Sequence, residues 1–168
     1  VTTHIGVTPE DRSDPIYQTM LGACRELADY AASRRVTFAI ETGPEKAAVL
    51  KQFLDDIDSR GLGVNLDPAN LVMVSGDDPV QAVHTLKKYI VHTHAKDGIQ
   101  LQAGSAEGVY HRDAANAASA AKFKEVPLGE GQVDWPRYLD ALAQIGYTGF
   151  LTIEREVGPD PAADIAKA

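Results

Sequence analysis

Short apolar runs typical of β-strands alternate along this chain with longer segments in which apolar residues recur every three or four positions. The strand-like runs are residues 1–5, 35–40, 63–66, 89–93 and 150–153. Helices are predicted to begin where a proline suits the first helical turn, at Pro15, Pro44, Pro79 and Pro136, and a further helix is predicted in the tail after Pro159. Strands that alternate with helices of this length predict βαβ units, and therefore a parallel sheet covered by helices.

The first predicted helix has a recognisable apolar face. Its apolar positions share one side of the helix because they are spaced by three and four residues. They are Ile16, Met20, Cys24, Leu27 and Ala31. The second predicted helix should end at Gly61, a residue suited to a left-handed backbone.

The closed form of this architecture is the (β/α)8 barrel, which has eight strands and about 250 residues. Five strands in 168 residues therefore match strands four to eight of such a barrel, as one domain over residues 1–168. The chain opens on a strand-like run with no initiator methionine, so we expect a segment ahead of Val1. A sheet lacking three strands has two open edges. Either that segment or a second copy in a homo-oligomer is expected to cover them.

The alternation breaks at residues 98–125, which contain Gly, Ala and Ser and an alanine-rich part at 113–122. We predict a loop insertion with a short helix. An insertion of this length in a compact domain is usually a lid or binding loop. His111 and Arg112 lie within it, and we expect them to be solvated.

Composition excludes several classes of partner. Sixteen basic against 24 acidic residues give a formal charge of −8, which repels nucleic acid. No apolar run reaches the roughly 20 residues that cross a bilayer, and the N-terminus lacks a secretory pattern. We therefore expect a cytoplasmic protein with neither a nucleic-acid nor a membrane partner. Cys24 is the single cysteine, so an internal disulfide is impossible.

Four of the predicted strands end in a side chain able to bind a metal ion. These residues are Glu41, Asp67, His94 and Glu154. In a barrel of parallel strands the C-terminal ends converge on one mouth, where active sites are built. Each residue alone has a simpler explanation, since an acidic residue at a strand end also caps the next helix. Four in register favour a shared metal site.

Three carboxylates and one imidazole suit a divalent ion. Hard oxygen ligands dominate and no thiolate is present, which is typical of sites for Mn²⁺, Mg²⁺, Co²⁺ or Zn²⁺. The sequence leaves the choice among these metals open.

The motifs around these residues carry a family resemblance that extends from His4 to Glu154. They are Glu41-Thr42-Gly43, residues 63–71, 92–97, 126–131 and 146–154. In this order and spacing they resemble the xylose isomerase-like sugar phosphate isomerase/epimerase superfamily. The resemblance implies a TIM barrel, and it places the family's Glu, Asp, His, Glu metal set on the four strand-end residues. The chain differs from ketose 3-epimerases in having Asn70 where they often carry histidine, and Lys96 near the place of an arginine.

The resemblance also implies a substrate class, a small sugar or a cyclic polyol ketone. Glu41 and Glu154 would act as acid and base, moving a proton next to a metal-bound carbonyl. Epimerisation or isomerisation follows from this chemistry, and dehydration of an inosose-type substrate is the close alternative. A non-catalytic, truncated half-barrel is a further reading. A nuclease of the endonuclease IV type is disfavoured by the charge and by the five histidines.

Five further residues are candidates for binding the substrate, each with a structural alternative. His4 ends the first strand, and Asn70 lies beyond Asp67. His92 shares a strand face with His94, although it could equally be a satisfied buried histidine. Lys96 either binds a substrate oxygen or pairs with Asp97. Arg155 either binds substrate, orients Glu154, or forms a surface ion pair.

Overall fold

A computed structural model describes residues 1–102 and 122–168 of the chain. Within these residues, one parallel sheet is formed by five strands, which are β1 (Thr2–Thr3), β2 (Phe38–Glu41), β3 (Leu62–Leu66), β4 (Ile90–Ala95) and β7 (Leu151–Ile153). They lie side by side in the order β1-β2-β3-β4-β7. The parallel sheet that the alternation predicted is confirmed, and neighbouring strands follow one another in chain order.

Helices connect these strands and cover the sheet. They are α1 (Pro15–Ser33), α2 (Ala47–Ile57), α3 (Pro68–Asn70), which continues as a π-helical segment (Leu71–Ser75), α4 (Pro79–Leu86), α5 (Trp135–Gln144) and α6 (Pro161–Ile165). Most begin with an aspartate cap followed closely by proline, as in Asp14 and Asp78. α2 begins at Ala47, three residues after the proline at which it was predicted to start. None of the helices in the described ranges has the length and apolar character to span a bilayer.

The buried face of α1 differs from the prediction. Ile16 and Leu27 are 60% and 50% exposed, whereas Tyr17 is fully buried. Tyr17 packs edge-on against Phe53 of α2, with ring centroids 5.2 Å apart, and its hydroxyl donates to Asp56 Oδ2. The helix therefore turns toward its neighbour α2, where an aromatic ring and its polar tip are both satisfied.

The end of α2 also differs. Asp58, with φ 49°, adopts the left-handed conformation predicted for Gly61. Gly61 has another role, since a Cβ at this position would collide with the Ala28 carbonyl of α1. Glycine thus permits the close approach of helix and strand.

The segment predicted as a loop insertion begins and ends in strands. β5 (Asp97–Gln100) pairs antiparallel with β6 (Phe123–Val126), so residues 98–100 and 123–125 are strand rather than loop. The central part of the insertion, with His111, Arg112 and most of the alanine-rich stretch, lies outside the described residues. The π-helical segment packs against this hairpin, and both lie on the side of the sheet where the strands end.

Candidate metal centre

Four side chains from neighbouring strands converge at the C-terminal end of the sheet. Glu41 ends β2, Asp67 follows β3, His94 lies in β4 and Glu154 follows β7. One ligand atom from each of the four lies within 4.8 Å of the others. The sheet order explains this, because adjacent parallel strands end at one edge and each contributes one residue.

His94 lies at the centre of the group. Its Nδ1 is 3.1 Å from Glu154 Oε2, 3.3 Å from Asp67 Oδ2 and 3.5 Å from Glu41 Oε1. Burial lowers the pKa of His94, but hydrogen bonds to these three carboxylates outweigh it and raise the pKa to about 11. Three carboxylates this close together repel one another, so a positive charge between them stabilises the group.

The donor set fits a divalent cation. Asp67 is fully buried, and burial raises the pKa of its carboxyl. A buried carboxylate needs a cation or hydrogen-bond donors close by. Three carboxylate oxygens and an imidazole nitrogen at this spacing are the ligands that Mn²⁺, Mg²⁺, Co²⁺ and Zn²⁺ accept, and the single thiol, Cys24, is buried elsewhere in α1.

Side chains from three parts of the chain surround Glu41. Its Oε2 accepts a hydrogen bond of 3.1 Å from Asn65 Nδ2, and its Oε1 accepts one of 3.3 Å from Asn70 Nδ2. His4 Nε2 lies 3.5 Å from the same Oε1. The structure therefore places His4 and Asn70, both candidates from the sequence, directly beside a proposed ligand.

Lys96 extends into the cluster from the end of β4. Its Nζ donates to Glu154 Oε2 at 3.0 Å and to Glu156 Oε2 at 2.7 Å, and it lies 3.9 Å from Asp67 Oδ2. The side chain is 4% exposed. Burial lowers the pKa of Lys96, but Asp67 and the two glutamates raise it further than burial lowers it. Its ion pairs are with these carboxylates and with Glu125, whose Oε2 lies 3.7 Å away, while Asp97 is occupied by other donors.

Glu154 remains ionised because of these same neighbours. The hydrogen bond to His94, and then that to Lys96, lower the pKa of Glu154 to about 2 against the opposing effect of burial. Glu154 is therefore a carboxylate throughout the neutral range.

His92 faces the same side as His94, as the strand alternation predicted, and the two rings meet edge-on at 5.6 Å. Its Nδ1 lies 2.7 Å from Asn65 Oδ1 and its Nε2 lies 2.9 Å from Thr152 Oγ1. Both ring nitrogens thus contact side chains of neighbouring strands.

Arg155 points away from the four candidate ligands. Its Nη1 donates to Glu125 Oε1 at 2.8 Å and its Nε to Asp164 Oδ2 at 2.9 Å, and the side chain is 6% exposed. Glu125 also accepts from the backbone N–H of Glu156. This buried group ties β6 and α6 to the segment that carries Glu154.

Asp97 organises the loop before α5. Its carboxylate accepts hydrogen bonds from five donors, the backbone N–H groups of Gly98, Gly129, Gly131 and Val133 and the indole Nε1 of Trp135. A Cβ at residue 131 would collide with this carboxylate. Trp135 accordingly acts as a packing anchor at the helix start.

A cleft of about 820 Å³ opens in front of the cluster. Its lining includes the polar residues His4, Glu41, Asn70, Lys96 and Glu154. The π-helical segment and the hairpin contribute the apolar residues Met73, Val74 and Phe123. The cleft is large enough for a small, partly apolar polyol next to the carboxylates.

Sequence reasoning did not single out Asn65, Glu125 or Glu156. Asn65 lies on β3, two residues before Asp67. Side chains two residues apart on a strand point to the same face of the sheet, so this spacing alone places Asn65 on the face of the ligands. Glu125 gave no such signal, because it was assigned to a loop and its partner Arg155 is 30 residues away.

The chain is similar in sequence and in fold to known proteins. The family model described as a xylose isomerase-like TIM barrel matches residues 1–168. The xylose isomerase domain protein from Planctomyces limnophilus is 31% identical with a TM-score of 0.78, over 99% of this chain and 54% of that protein. A xylose isomerase-like TIM barrel protein from Mycobacterium smegmatis, solved in complex with magnesium, is 19% identical with a TM-score of 0.67, over 92% of this chain and 49% of its own.

Among curated proteins, L-ribulose-5-phosphate 3-epimerase UlaE of Escherichia coli O1:K1 is 52% identical over 48 residues. Those residues are 27% of this chain and 17% of the epimerase. The chain spans about half the length of the two solved relatives and a smaller part of the epimerase.

Proposed function

Because the chain belongs to the xylose isomerase-like TIM barrel family, we propose that it is the metal-binding part of a divalent metal-dependent isomerase or epimerase. Its substrate would be a small sugar or a cyclic polyol ketone. The observation that carries this proposal is the convergence of Glu41, Asp67, His94 and Glu154 within 4.8 Å. The local likeness to a sugar phosphate 3-epimerase supports the substrate class.

The four residues would hold one Mn²⁺, Mg²⁺, Co²⁺ or Zn²⁺ ion. The magnesium in the Mycobacterium smegmatis relative is consistent with such an ion but leaves its identity open. A bound divalent ion supplies Lewis acidity that polarises a substrate carbonyl and makes the adjacent C–H more acidic.

Glu41 and Glu154 would move the proton. Glu154 is suited to be the base, since it lines the cleft and its side chain, 29% exposed, is the most exposed of the four. Glu41 lies at the end of β2, and two strands, β3 and β4, separate β2 from β7, which Glu154 follows. One carboxylate would remove the proton from one face of the substrate and the other would return it on the other face, each contributing roughly 10²–10⁴ in rate.

Three of the predicted substrate-binding residues line the cleft, namely His4, Asn70 and Lys96. Lys96 would place its ammonium next to substrate oxygens, and His4 and Asn70 would do so on the Glu41 side. We assign His92 and Arg155 positioning roles instead, because both ring nitrogens of His92 and the guanidinium of Arg155 are engaged with other side chains.

We also propose that the described sheet corresponds to strands four to eight of the barrel. β1 and β7 lie at its two edges, and Val1 and Phe150 beside them are 84% and 82% exposed. Further βα units, from a preceding segment or from a second copy of the chain, would cover these edges. A half-barrel that binds metal without turnover is the alternative, which mass in solution and metal content would distinguish.

The nuclease alternative remains disfavoured. Only one of the four clustered residues is a histidine, and the chain carries a net charge of −8. A phosphate backbone would meet a cleft dominated by carboxylates.

The proposal is tested by proton NMR in D₂O with a panel of ketoses and inososes plus Mg²⁺. We expect deuterium to enter beside the carbonyl with the wild-type chain and not with Glu154→Gln. Glu26→Gln, on the exposed side of α1, removes an equal charge away from the cleft and should exchange like wild type. Loss of water from an inosose would select the dehydratase alternative, and metal binding without exchange would select the non-catalytic one.

A further inference from the structure

We propose that Asn65 is a positioning residue of the metal centre, whose side-chain amide holds the ligand Glu41 by a hydrogen bond and packs against the ligand His94. The inference rests on the proposed metal site and assigns a role to a residue that is not itself a ligand. Asn65 lies in β3 and is fully buried. A fully buried amide is expected where each of its polar atoms has a partner.

The amide nitrogen of Asn65 contacts two of the four ligands. It donates to Glu41 Oε2 at 3.1 Å and lies 3.1 Å from Nε2 of His94. The opposite ring nitrogen of His94, Nδ1, is the one that faces the three carboxylates. A metal on Nδ1 leaves the proton of His94 on Nε2, so the contact between the two nitrogens is packing and not a hydrogen bond. The hydrogen bond to Glu41 is therefore the one by which Asn65 positions a ligand.

The amide is itself held by a second pair of side chains. His92 Nδ1 lies 2.7 Å from Asn65 Oδ1, which makes this nitrogen the donor, and His92 Nε2 lies 2.9 Å from Thr152 Oγ1. The carbonyl oxygen thus faces His92 and the nitrogen faces Glu41. Contacts at both ends of the amide leave it one favourable orientation.

The fold places these residues as a layer directly beneath the ligands. Asn65, His92 and Thr152 each precede a ligand by two residues, on β3, β4 and β7, so strand alternation puts all three on the ligand side of the sheet. The layer therefore connects three of the strands that carry ligands through side-chain contacts, in addition to the backbone pairing.

Because Glu41 is buried, the loss of its hydrogen bond from Asn65 should affect metal binding. Glu41 is only 8% exposed, so a carboxylate oxygen that loses its donor cannot simply turn to water. Residues that hydrogen bond to metal ligands fix ligand orientation, and their loss typically lowers metal affinity on the order of 10–100-fold. We expect a loss in this range when the Asn65 amide is removed.

The test is isothermal titration of Mn²⁺ into the full chain. Asn65→Leu keeps the size and neutrality of the side chain and removes its polar atoms. The matched control is Thr93→Val, since the Thr93 hydroxyl is also fully buried in β4 but contacts Leu66 O and Tyr138 on the helix side of the sheet. Unfolding of each variant without metal measures how much stability it loses.

We expect Asn65→Leu to bind Mn²⁺ on the order of 10–100-fold more weakly than wild type, and Thr93→Val to bind as wild type despite a similar loss of stability. Wild-type affinity in a folded Asn65→Leu would overturn the inference. A metal affinity that falls equally in both variants would also overturn it, since the effect would then follow stability alone.

If Asn65→Leu does not fold, the variant His92→Phe tests the inference in its place. This variant keeps a ring beside His94 and removes the contact that fixes the amide, so a reduced Mn²⁺ affinity supports the inference and an unchanged affinity overturns it. Failure of the wild-type chain to bind Mn²⁺ would instead reject the proposed metal site, so the two failures are distinguishable.

Discussion

Lys96 Nζ lies 3.0 Å from Oε2 of Glu154 and 3.9 Å from Oδ2 of Asp67. The lysine side chain is 4% exposed, so it delivers a positive charge into the cluster of carboxylates from which we build the metal site. Lysine and metal ion would therefore neutralise overlapping sets of negative charge. Without the lysine, the folded chain should depend more strongly on the metal.

Lys96→Met is expected to lower the stability of the metal-free protein by about 3–5 kcal/mol, the usual cost of removing one partner of a buried ion pair. Mn²⁺ should then raise Tm more in the variant than in wild type, because a ligand that binds only the folded state stabilises it. Scanning calorimetry with and without Mn²⁺ measures both effects.

Lys124→Met is the control for this prediction. Lys124 is exposed on β6 and lines the same cleft. Its removal changes the net charge equally but does not leave buried carboxylates without a cation. If Mn²⁺ raises Tm no more for Lys96→Met than for wild type, Lys96 and the metal ion do not neutralise the same carboxylates.

Arg155→Met should destabilise the protein by about 3–5 kcal/mol, because it removes the buried cation that contacts both Glu125 and Asp164 and leaves only Lys96 Nζ, 3.7 Å away, beside Glu125. Urea unfolding measures this loss, and hydrogen exchange should show faster exchange in α6, which Asp164 anchors. Arg137→Met is the comparison, since the Arg137–Asp134 pair is exposed and such pairs contribute about 1 kcal/mol or less. A raised KM with unchanged stability would instead favour substrate binding by Arg155.

The contrast between Arg155 and the four candidate ligands shows what the sequence could reveal. Strand ends are readable from apolar runs, and parallel strands bring their ends together, so Glu41, Asp67, His94 and Glu154 were predictable as one group. The partner of Arg155 was not predictable. Glu125 reaches it only because residues 123–126 form a strand, within a segment that has no strand-like alternation.

The first helix shows a second limit of the sequence. Periodicity identified an apolar face of α1 but not the neighbour it would meet, and Ile16 is exposed while Tyr17 is buried against α2. A tyrosine is buried there because Asp56 accepts from its hydroxyl, a pairing across 39 residues that spacing within one helix does not reveal.

Asp97→Asn is expected to destabilise the protein by roughly 3 kcal/mol or more, because a carboxylate that accepts five hydrogen bonds would be replaced by an amide that presents its own N–H to the same donors. Trp135 is the single tryptophan, and its indole is one of those donors. Its fluorescence should therefore change in the folded variant.

Asp134→Asn serves as the control for Asp97→Asn. Asp134 caps the same helix by accepting from Arg137 N, and asparagine caps nearly as well as aspartate, so little stability should be lost. A stability of Asp97→Asn close to that of wild type would show that the loop before α5 is held by other contacts.

Glu45 lies buried after β2, and its Oε2 has no hydrogen-bond partner among the described residues. Burial raises the pKa of Glu45 to about 7, above the 4.5 of an exposed glutamate. Between these values the unfolded chain is ionised at this position while the folded chain holds the proton. The contribution of Glu45 to stability is therefore present below pH 4.5, falls as pH rises toward 7, and is then constant.

Glu45→Gln should remove this pH dependence, since glutamine stays neutral and matches the protonated acid in shape. Relative to wild type, the variant should gain roughly 3 kcal/mol in free energy of unfolding between pH 4.5 and pH 8. Urea unfolding at several pH values gives this difference directly, and other titrating groups cancel because both proteins share them. A difference that stays constant with pH would mean that Glu45 ionises in the folded chain as it does in water.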